Sequence, residues 1–346
     1  MQTTKRRSSL FHFVLSGLTA LLATTVHGNE SKDSYLDHPK AKAFIAEIAK
    51  EQSYPKEKLE ALLASASKSQ SILDAISRPA EKTKTWAEYR PIFLTQDRID
   101  KGIEFYRQHE DTFKRAEQTF GVSRFVILAI IGVETRYGKH KGNYRVVDSL
   151  ATLAFDYPPR STFFRSELKH FLQLEQEAGI ELMSAKGSYA GAMGFGQFIS
   201  SSYRHYAVDF DNDGHRDLIN NPVDAIGSVA NYFKEHGWQQ GKPVASLARF
   251  LGDEEQQAQL DSVLSKGPKP QKPQLTIMEI KQAGLIADAD YDDEEKATAM
   301  VFEGAEGTEY WIGLQNFYVI TRYNHSPLYA MAVYQLSEEL KKRLSS

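Results

Sequence analysis

The chain contains no cysteine in 346 residues. That excludes disulfides, thiolate metal sites, a cysteine nucleophile and a lipid-modified cysteine. No sign of charge dominates either, and a net charge of −3 gives no general electrostatic reason for nucleic-acid binding. The local acidic run at 288–295 reads as a solvated loop. Long apolar runs are also scarce. The stretch 10–23 is short for a membrane span and carries His12. Lys5, Arg6 and Arg7 precede it and Val26-His27-Gly28 follows, the layout of a secretory signal peptide cut after Gly28, with an uncleaved anchor as the alternative. The expected mature protein is soluble in the periplasm or its equivalent, with no stable membrane insertion after cleavage.

What the chain does have is helical periodicity and enough apolar content, 41%, for a full core in two or three lobes. Segments 43–52, 55–66 and 96–120 repeat apolar residues at helical spacing, the last through Ile99, Ile103, Tyr106, Phe113 and Phe120. Gly267-Pro268-Lys269-Pro270-Gln271-Lys272-Pro273 is a stiff extended segment that no helix interior accepts. Beyond it, 296–303, 308–313 and 316–321 are rich in strand formers. Ser326 and Pro327 open a last helix, whose stripe Leu328, Ala332, Leu336 and Leu340 should pack back onto the helical body. The expected class is mainly α (α+β), with a signal peptide at 1–28, a helical N-terminal lobe at 29–120 and a core region at 121–238. A small α+β lobe with an antiparallel sheet follows at 239–320, then a C-terminal segment and helix at 321–346.

Most of the unusual chemistry lies in the core. The apolar run 125–133 ends in Gly132-Val133-Glu134-Thr135-Arg136-Tyr137-Gly138. Its β-branched residues would suit a strand, but its length, with Ser123 as N-cap and Gly138 just beyond its end, suits a helix better. In that helix Glu134 shares the face of Ile127, Ile130 and Ile131. Burial and the negative end of the helix dipole then both disfavour the carboxylate and favour a proton donor. The same residues would also serve as a plain helix end, with Glu134 paired to Arg136.

The second motif, Asp209-Phe210-Asp211-Asn212-Asp213-Gly214-His215-Arg216-Asp217, has the front half of an EF-hand loop: carboxylates at alternate positions, then a glycine that permits the sharp turn. His215 would offer its backbone carbonyl. The twelfth position is Asn220 where a bidentate glutamate is expected, and Asp224 is the candidate replacement ligand. The expectation is a weak structural Ca2+ site, with Na+ as a substitute. The metal-free alternative is an Asx turn, with Asp224 favouring a helix start behind Asn221-Pro222.

The third motif, Ser188-Tyr189-Ala190-Gly191-Ala192-Met193-Gly194-Phe195-Gly196-Gln197-Phe198, allows close approach to its backbone and offers the paired donors and acceptors of Gln197. Its spacing is not that of a phosphate loop. Such a surface suits a sugar, but on this motif alone tight helix packing against small residues is the better explanation.

Together with Trp86-Ala87-Glu88-Tyr89-Arg90, Tyr157-Pro158-Pro159-Arg160 and Arg322-Tyr323-Asn324-His325-Ser326, these motifs closely resemble the B-type lytic murein transglycosylases, across most of the mature chain. The resemblance implies a lysozyme-like helical core and non-hydrolytic cleavage of peptidoglycan between N-acetylmuramic acid and N-acetylglucosamine, leaving 1,6-anhydro ends. It implies Glu134 as acid and then base, with no cofactor for catalysis. Ser188 and Asn324 would steady the sugar. Gln197, Tyr89, Tyr232 and Tyr323 would line the groove, the tyrosines stacking on sugar faces, and Arg160 would meet the peptide stem or lactyl carboxylate. The implied partners are glycan strands, together with proteins of wall synthesis. Two departures stand out: Pro159 replaces a basic residue frequent in the family, and the acidic loop is about one residue longer than usual. A hydrolytic muramidase would need a second carboxylate, for which Asp148 and Asp156 are nearest in sequence. A non-catalytic wall-binding module would make Glu134 structural.

Overall fold

The computed structural model describes residues 34–78 and 83–345, so the signal segment expected at 1–28 lies outside the described residues. The chain opens with α1 (Pro39–Glu51), α2 (Lys56–Ser65) and α3 (Gln70–Ile76), followed by α4 (Trp86–Phe93) and α5 (Gln96–Gln108). Next come α6 (Glu110–Phe120) and α7 (Arg124–Thr135). The 96–120 segment is thus two helices, not one. His109 leaves the helical region at φ −127° and ψ 23°, and the break lets Tyr106 and Phe113 stack at 5.5 Å.

The helix α7 is buried on all sides from Phe125 to Val133, packed against α5, α6, α11 (Pro222–Glu235) and α15 (Pro327–Leu344). A helix with no polar face can only be a core element. Ser123 takes the N-cap position as expected but its side chain makes no capping bond, and the Arg124 amide meets Glu117 Oε1 at 3.0 Å. Glu117 Oε2 also takes the Arg124 guanidinium at 2.7 Å, so one carboxylate serves both groups.

Around this axis lie β1 (Tyr144–Arg145), α8 (Val146–Asp156), α9 (Ser161–Ala178), β2 (Lys186–Gly187) and α10 (Ser200–Tyr206). The two short strands pair antiparallel, which brings Tyr144 opposite Gly187 and delivers the chain to Ser188. A continuous apolar cluster from Tyr35 to Leu340 unites these helices.

A second cluster, including Leu260, Ile280, Leu285 and Ile312, lies in the expected sheet region. Here β3 (Ala245–Phe250), α12 (Glu254–Val263), β4 (Leu275–Thr276), α13 (Ile277–Gln282), β5 (Leu285–Ala287), β6 (Lys296–Gly304) and β7 (Gly307–Gly313) follow in turn. The antiparallel sheet has the order β4-β6-β7-β3-β5. Phe302 on β6 packs 6.0 Å from Trp86 on α4, joining the sheet to the helical body.

The segment 316–321, expected as a strand, is the middle of α14 (Gln315–Tyr323). Its β-branched residues favour strands locally, but Phe317, Val319, Ile320 and Tyr323 are buried, and the helix packs against α15. Tertiary packing overrides local preference here. In α15 the expected stripe is borne out, with Ala332, Leu336 and Leu340 fully buried, Leu328 half-buried against the core and Ser326 capping the Tyr329 amide at 3.2 Å. Among the described residues, no single helix is long and apolar enough to cross a membrane.

Candidate active site

The polypeptide leaves α7 abruptly. Arg136 and Tyr137 take left-handed conformations (φ 49° and 59°), and the amides of Arg136 and Tyr137 return to Gly132 O and Ile131 O. Glu134 therefore sits in the last turn, half-buried, where the unbroken buried run from Phe125 to Val133 ends. Thr135 beside it is buried, and its hydroxyl lies 2.9 Å from Phe195 O and 3.1 Å from Ile131 O while accepting the Gly138 amide at 2.9 Å. Gly138 (φ +86°) carries the Phe195 ring so closely that a Cβ there would fall 2.2 Å from it. The helix end and the glycine-rich arm thus form one surface.

From α15, the Tyr329 hydroxyl donates to Glu134 Oε1 at 2.5 Å. Tyr323 lies close enough for the Glu134 charge to act on it. Both phenols are pushed well above their ordinary range, chiefly by burial and secondly by that charge. Three influences therefore meet on Glu134. The apolar wall and the carbonyl end of α7 disfavour its ionised form, and the Tyr329 hydroxyl favours it.

The tyrosines expected to stack on sugars are packed within protein. Tyr89, Tyr232 and Tyr323 are each 1% exposed, which leaves no ring face open. Tyr232 donates to Arg322 O at 2.6 Å and stacks on His236 at 4.0 Å, Tyr323 donates to Gly196 O at 2.6 Å, and Tyr89 packs 5.0 Å from Phe93. Buried phenols need acceptors, and here backbone carbonyls supply two of them. The rings brace the arm from behind.

Ser188 closes the tight turn of that arm, its Oγ accepting from Ala190 N at 3.2 Å and Ala192 N at 3.1 Å. Gln197 takes φ +50° and donates through Nε2 to Lys141 O at 3.1 Å and Gly194 O at 3.0 Å. Asn324 is 5% exposed between Tyr323 and the cap of α15. Arg160 lies farther along the fold, its guanidinium over Phe163 at 4.3 Å, within electrostatic reach of Glu167 and of Tyr189 beside Ser188. Asp148 and Asp156 serve the N-terminal helices instead: Asp148 accepts the Ser67 amide at 2.9 Å, and Asp156 takes the Tyr35 hydroxyl at 2.7 Å and Lys68 at 3.0 Å.

In the acidic loop, carboxylate oxygens of Asp209, Asp211 and Asp213 lie within 4.8 Å of one another. This hard-oxygen set fits a calcium-sized cation in ligand type, and the amides of Asp213 and Gly214 hold the carboxylates of Asp209 and Asp211 in place. Asp224 does not join them. It is fully buried, with Oδ1 accepting Phe210 N at 2.7 Å and Oδ2 accepting Asp217 N at 2.8 Å. It braces both sides of the loop, and burial pushes its carboxyl up. His215 donates its amide to Asp213 Oδ1 at 2.8 Å. Asn220, at the twelfth position, is bound to Asp217.

Sequence reasoning missed Tyr329, Thr135 and Glu167. Only the position of Thr135 beside Glu134 could have signalled its role, because Tyr329 sits among core residues of α15 and Glu167 looks like one more polar residue on α9. Glu167 is 3% exposed and accepts the Ser201 amide at 2.9 Å.

A family model described as Transglycosylase SLT domain matches residues 37–338. The membrane-bound lytic murein transglycosylase B of Escherichia coli (strain K12) is 40% identical over 313 residues, covering 88% of this chain and 83% of that protein. Among solved structures, soluble lytic transglycosylase SltB1 from Pseudomonas aeruginosa superposes with a TM-score of 0.82 at 48% identity, covering 89% of this chain and 100% of that one. The Escherichia coli lytic transglycosylase Slt35 in complex with calcium gives a TM-score of 0.80 at 39% identity, covering 90% and 96%.

Burial raises the Glu167 carboxyl above the ordinary glutamate range, against the opposing Ser201 bonds and the Arg160 charge. The folded state therefore binds this proton more tightly than the unfolded chain does, and the associated stability is present at low pH and lost as pH rises through the folded value. Glu167→Gln keeps an acceptor for the Ser201 amide and removes the charge. Its melting temperature should exceed that of wild type at about pH 7.5, and the advantage should shrink towards about pH 4. A difference that does not vary with pH would contradict this.

Proposed function

The chain belongs to the SLT-domain lytic transglycosylases and is a lyase acting on peptidoglycan, and from that premise we propose that Glu134 is its catalytic residue, serving as acid and then as base. The observation that carries this reading is the 2.5 Å bond from Tyr329, which fixes a half-buried carboxyl at the end of an apolar helix. In the first step Glu134 protonates the glycosidic oxygen. The bond from the muramoyl anomeric carbon to that oxygen breaks, and the N-acetylglucosamine hydroxyl leaves with the proton. In the second step the Glu134 carboxylate takes the proton of the muramoyl C6 hydroxyl, whose oxygen closes on the anomeric carbon as the 1,6-anhydro bridge. No water is consumed, and one carboxylate suffices because it regains the proton it gave. The engagement of Asp148 and Asp156 with the N-terminal helices favours this over a two-carboxylate hydrolase.

Ser188, Gln197 and Asn324 hold the sugar in this reading, and Arg160 meets a carboxylate of the lactyl group or stem. Tyr89, Tyr232 and Tyr323 act from beneath, as the framework that fixes the arm. Asp209, Asp211, Asp213 and the His215 carbonyl hold a structural Ca2+, with Asp224 as brace. Export to the periplasm follows from the composition of 1–28. The further units are 29–120, 121–238, 239–320 and 321–346.

Mass spectrometry of muropeptides released from purified peptidoglycan tests the chemistry. Wild type should release anhydro-muropeptides, and Glu134→Gln should be slower by about 10²–10⁴-fold or more. Hydrated reducing ends would make the enzyme a hydrolase, and equal rates would remove Glu134 from the mechanism.

Tyr329→Phe removes a donor that favours the ionised carboxylate, so Glu134 stays protonated to higher pH. The alkaline limb of the rate profile should move upward with a reduced maximum rate. An unmoved limb would show that the bond does not tune the acid.

The metal has a separate test. Calcium added to chelated protein should raise the melting temperature, by the equivalent of about 2.7 kcal/mol at a hundredfold excess over Kd. Asp211→Ala should abolish the rise, and no shift in wild type at about millimolar calcium, where exported modules bind, would eliminate the site.

A further inference from the structure

The acidic loop and the glycine-rich arm touch each other through backbone atoms. Leu218 O accepts the Phe195 amide at 3.0 Å, and Gly194 approaches the same carbonyl so closely that a Cβ would fall 2.1 Å from it. One residue on, Ile219 O accepts the Lys141 ammonium at 2.6 Å. Lys141 lies 4.7 Å from the Phe195 ring centre, and its own carbonyl accepts Gln197 Nε2 at 3.1 Å. The exit of the acidic loop is therefore bonded to the arm on one side and, through Lys141, to Gln197 on the other.

The same exit is fixed from the metal side. Asp224 bridges Phe210 N and Asp217 N, and Asp217 Oδ1 accepts the amides of Ile219 and Asn220, each at 2.9 Å. The path continues to the catalytic helix, because Phe195 O receives the Thr135 hydroxyl beside Glu134 and Gly196 O receives Tyr323. The carboxylates of Asp209, Asp211 and Asp213 converge in this loop, so a cation that joins them acts directly on the segment leading to this exit. From the loop exit to Gln197 the hydrogen bonds run on through Lys141, by its ammonium on one side and its carbonyl on the other.

We propose that Lys141 is a positioning residue that links the acidic loop to the sugar-binding arm, so that cation binding and glycan binding strengthen each other. The proposal rests on the glycan-binding reading above. Lys141 touches neither ligand. It transmits the position of Ile219 to Gln197, and Lys141→Met leaves Ile219 O without its ammonium partner.

Linkage requires the two binding effects to be equal in size. The test uses the full mature chain carrying Glu134→Gln, with calcium and an N-acetylglucosamine–N-acetylmuramic acid tetrasaccharide as the two probes, by calorimetry. Saturating tetrasaccharide should tighten calcium about fivefold or more, and saturating calcium should tighten the tetrasaccharide by the same factor. Lys141→Met should retain binding of each probe alone but lose the mutual effect, and Lys141→Arg should restore it. A merely structural lysine would weaken stability without separating the two affinities.

Calcium and tetrasaccharide that bind with affinities indifferent to each other would overturn the linkage and leave the glycan site standing. Linkage that persists in Lys141→Met would overturn the role of Lys141. No tetrasaccharide binding would instead refute the glycan reading, and this inference with it, while no calcium binding would end the inference and the calcium site but leave the glycan reading standing.

Discussion

An apolar helix that must end in a carboxylate sets the terms for everything around it. Burying the side chains of α7 stabilises the fold by roughly 1.5–3 kcal/mol for each large aliphatic residue, and α5, α6, α11 and α15 close round it in consequence. Glu134 comes at the first point where that burial relaxes. A carboxyl there cannot be neglected: it needs a donor, and α15 brings Tyr329. The left-handed turn at Arg136 and the hydroxyl of Thr135 then bring the glycine-rich arm to the same place. Packing, capping and chemistry at this point are consequences of one constraint.

Much of this was legible in the sequence, because α7 and α15 carry strong local signals. The 125–133 run, bounded by Ser123 and Gly138, marked the buried helix and placed Glu134 near its end, and Ser326-Pro327 marked the start of α15. What could not be read was which side chains from distant segments would meet. Tyr329 is 195 residues from Glu134, and nothing in its own neighbourhood distinguishes it from core. The same limit explains the tyrosines. Motif position suggested sugar-facing rings, whereas the folded chain uses Tyr232 and Tyr323 to satisfy carbonyls of Arg322 and Gly196.

Where local signals fell short, partners outside the motif explain it. Ser123 occupies the N-cap position of α7 as expected, but the side-chain acceptor at the helix start is Glu117 of the preceding helix, which also pairs Arg124. Residues 316–321 have strand-forming side chains, yet α15 offers a packing surface that suits a helix. Asp224 follows the same logic. Its sequence position invites coordination, but both of its oxygens are occupied by amides on either side of the loop. In each case a partner outside the immediate motif decided between local options of similar merit.

The separation between Glu134 and Tyr329 also bears on when the surroundings of this carboxyl are complete. A chain that emerges from synthesis or export in order presents α7 well before α15, and early segments fold before late ones arrive. During that interval the carboxyl has neither its phenol nor the helix that carries it. The surroundings of Glu134 are complete only once α15 docks, so the order of residues makes the setting of this carboxyl one of the last contacts the chain can form.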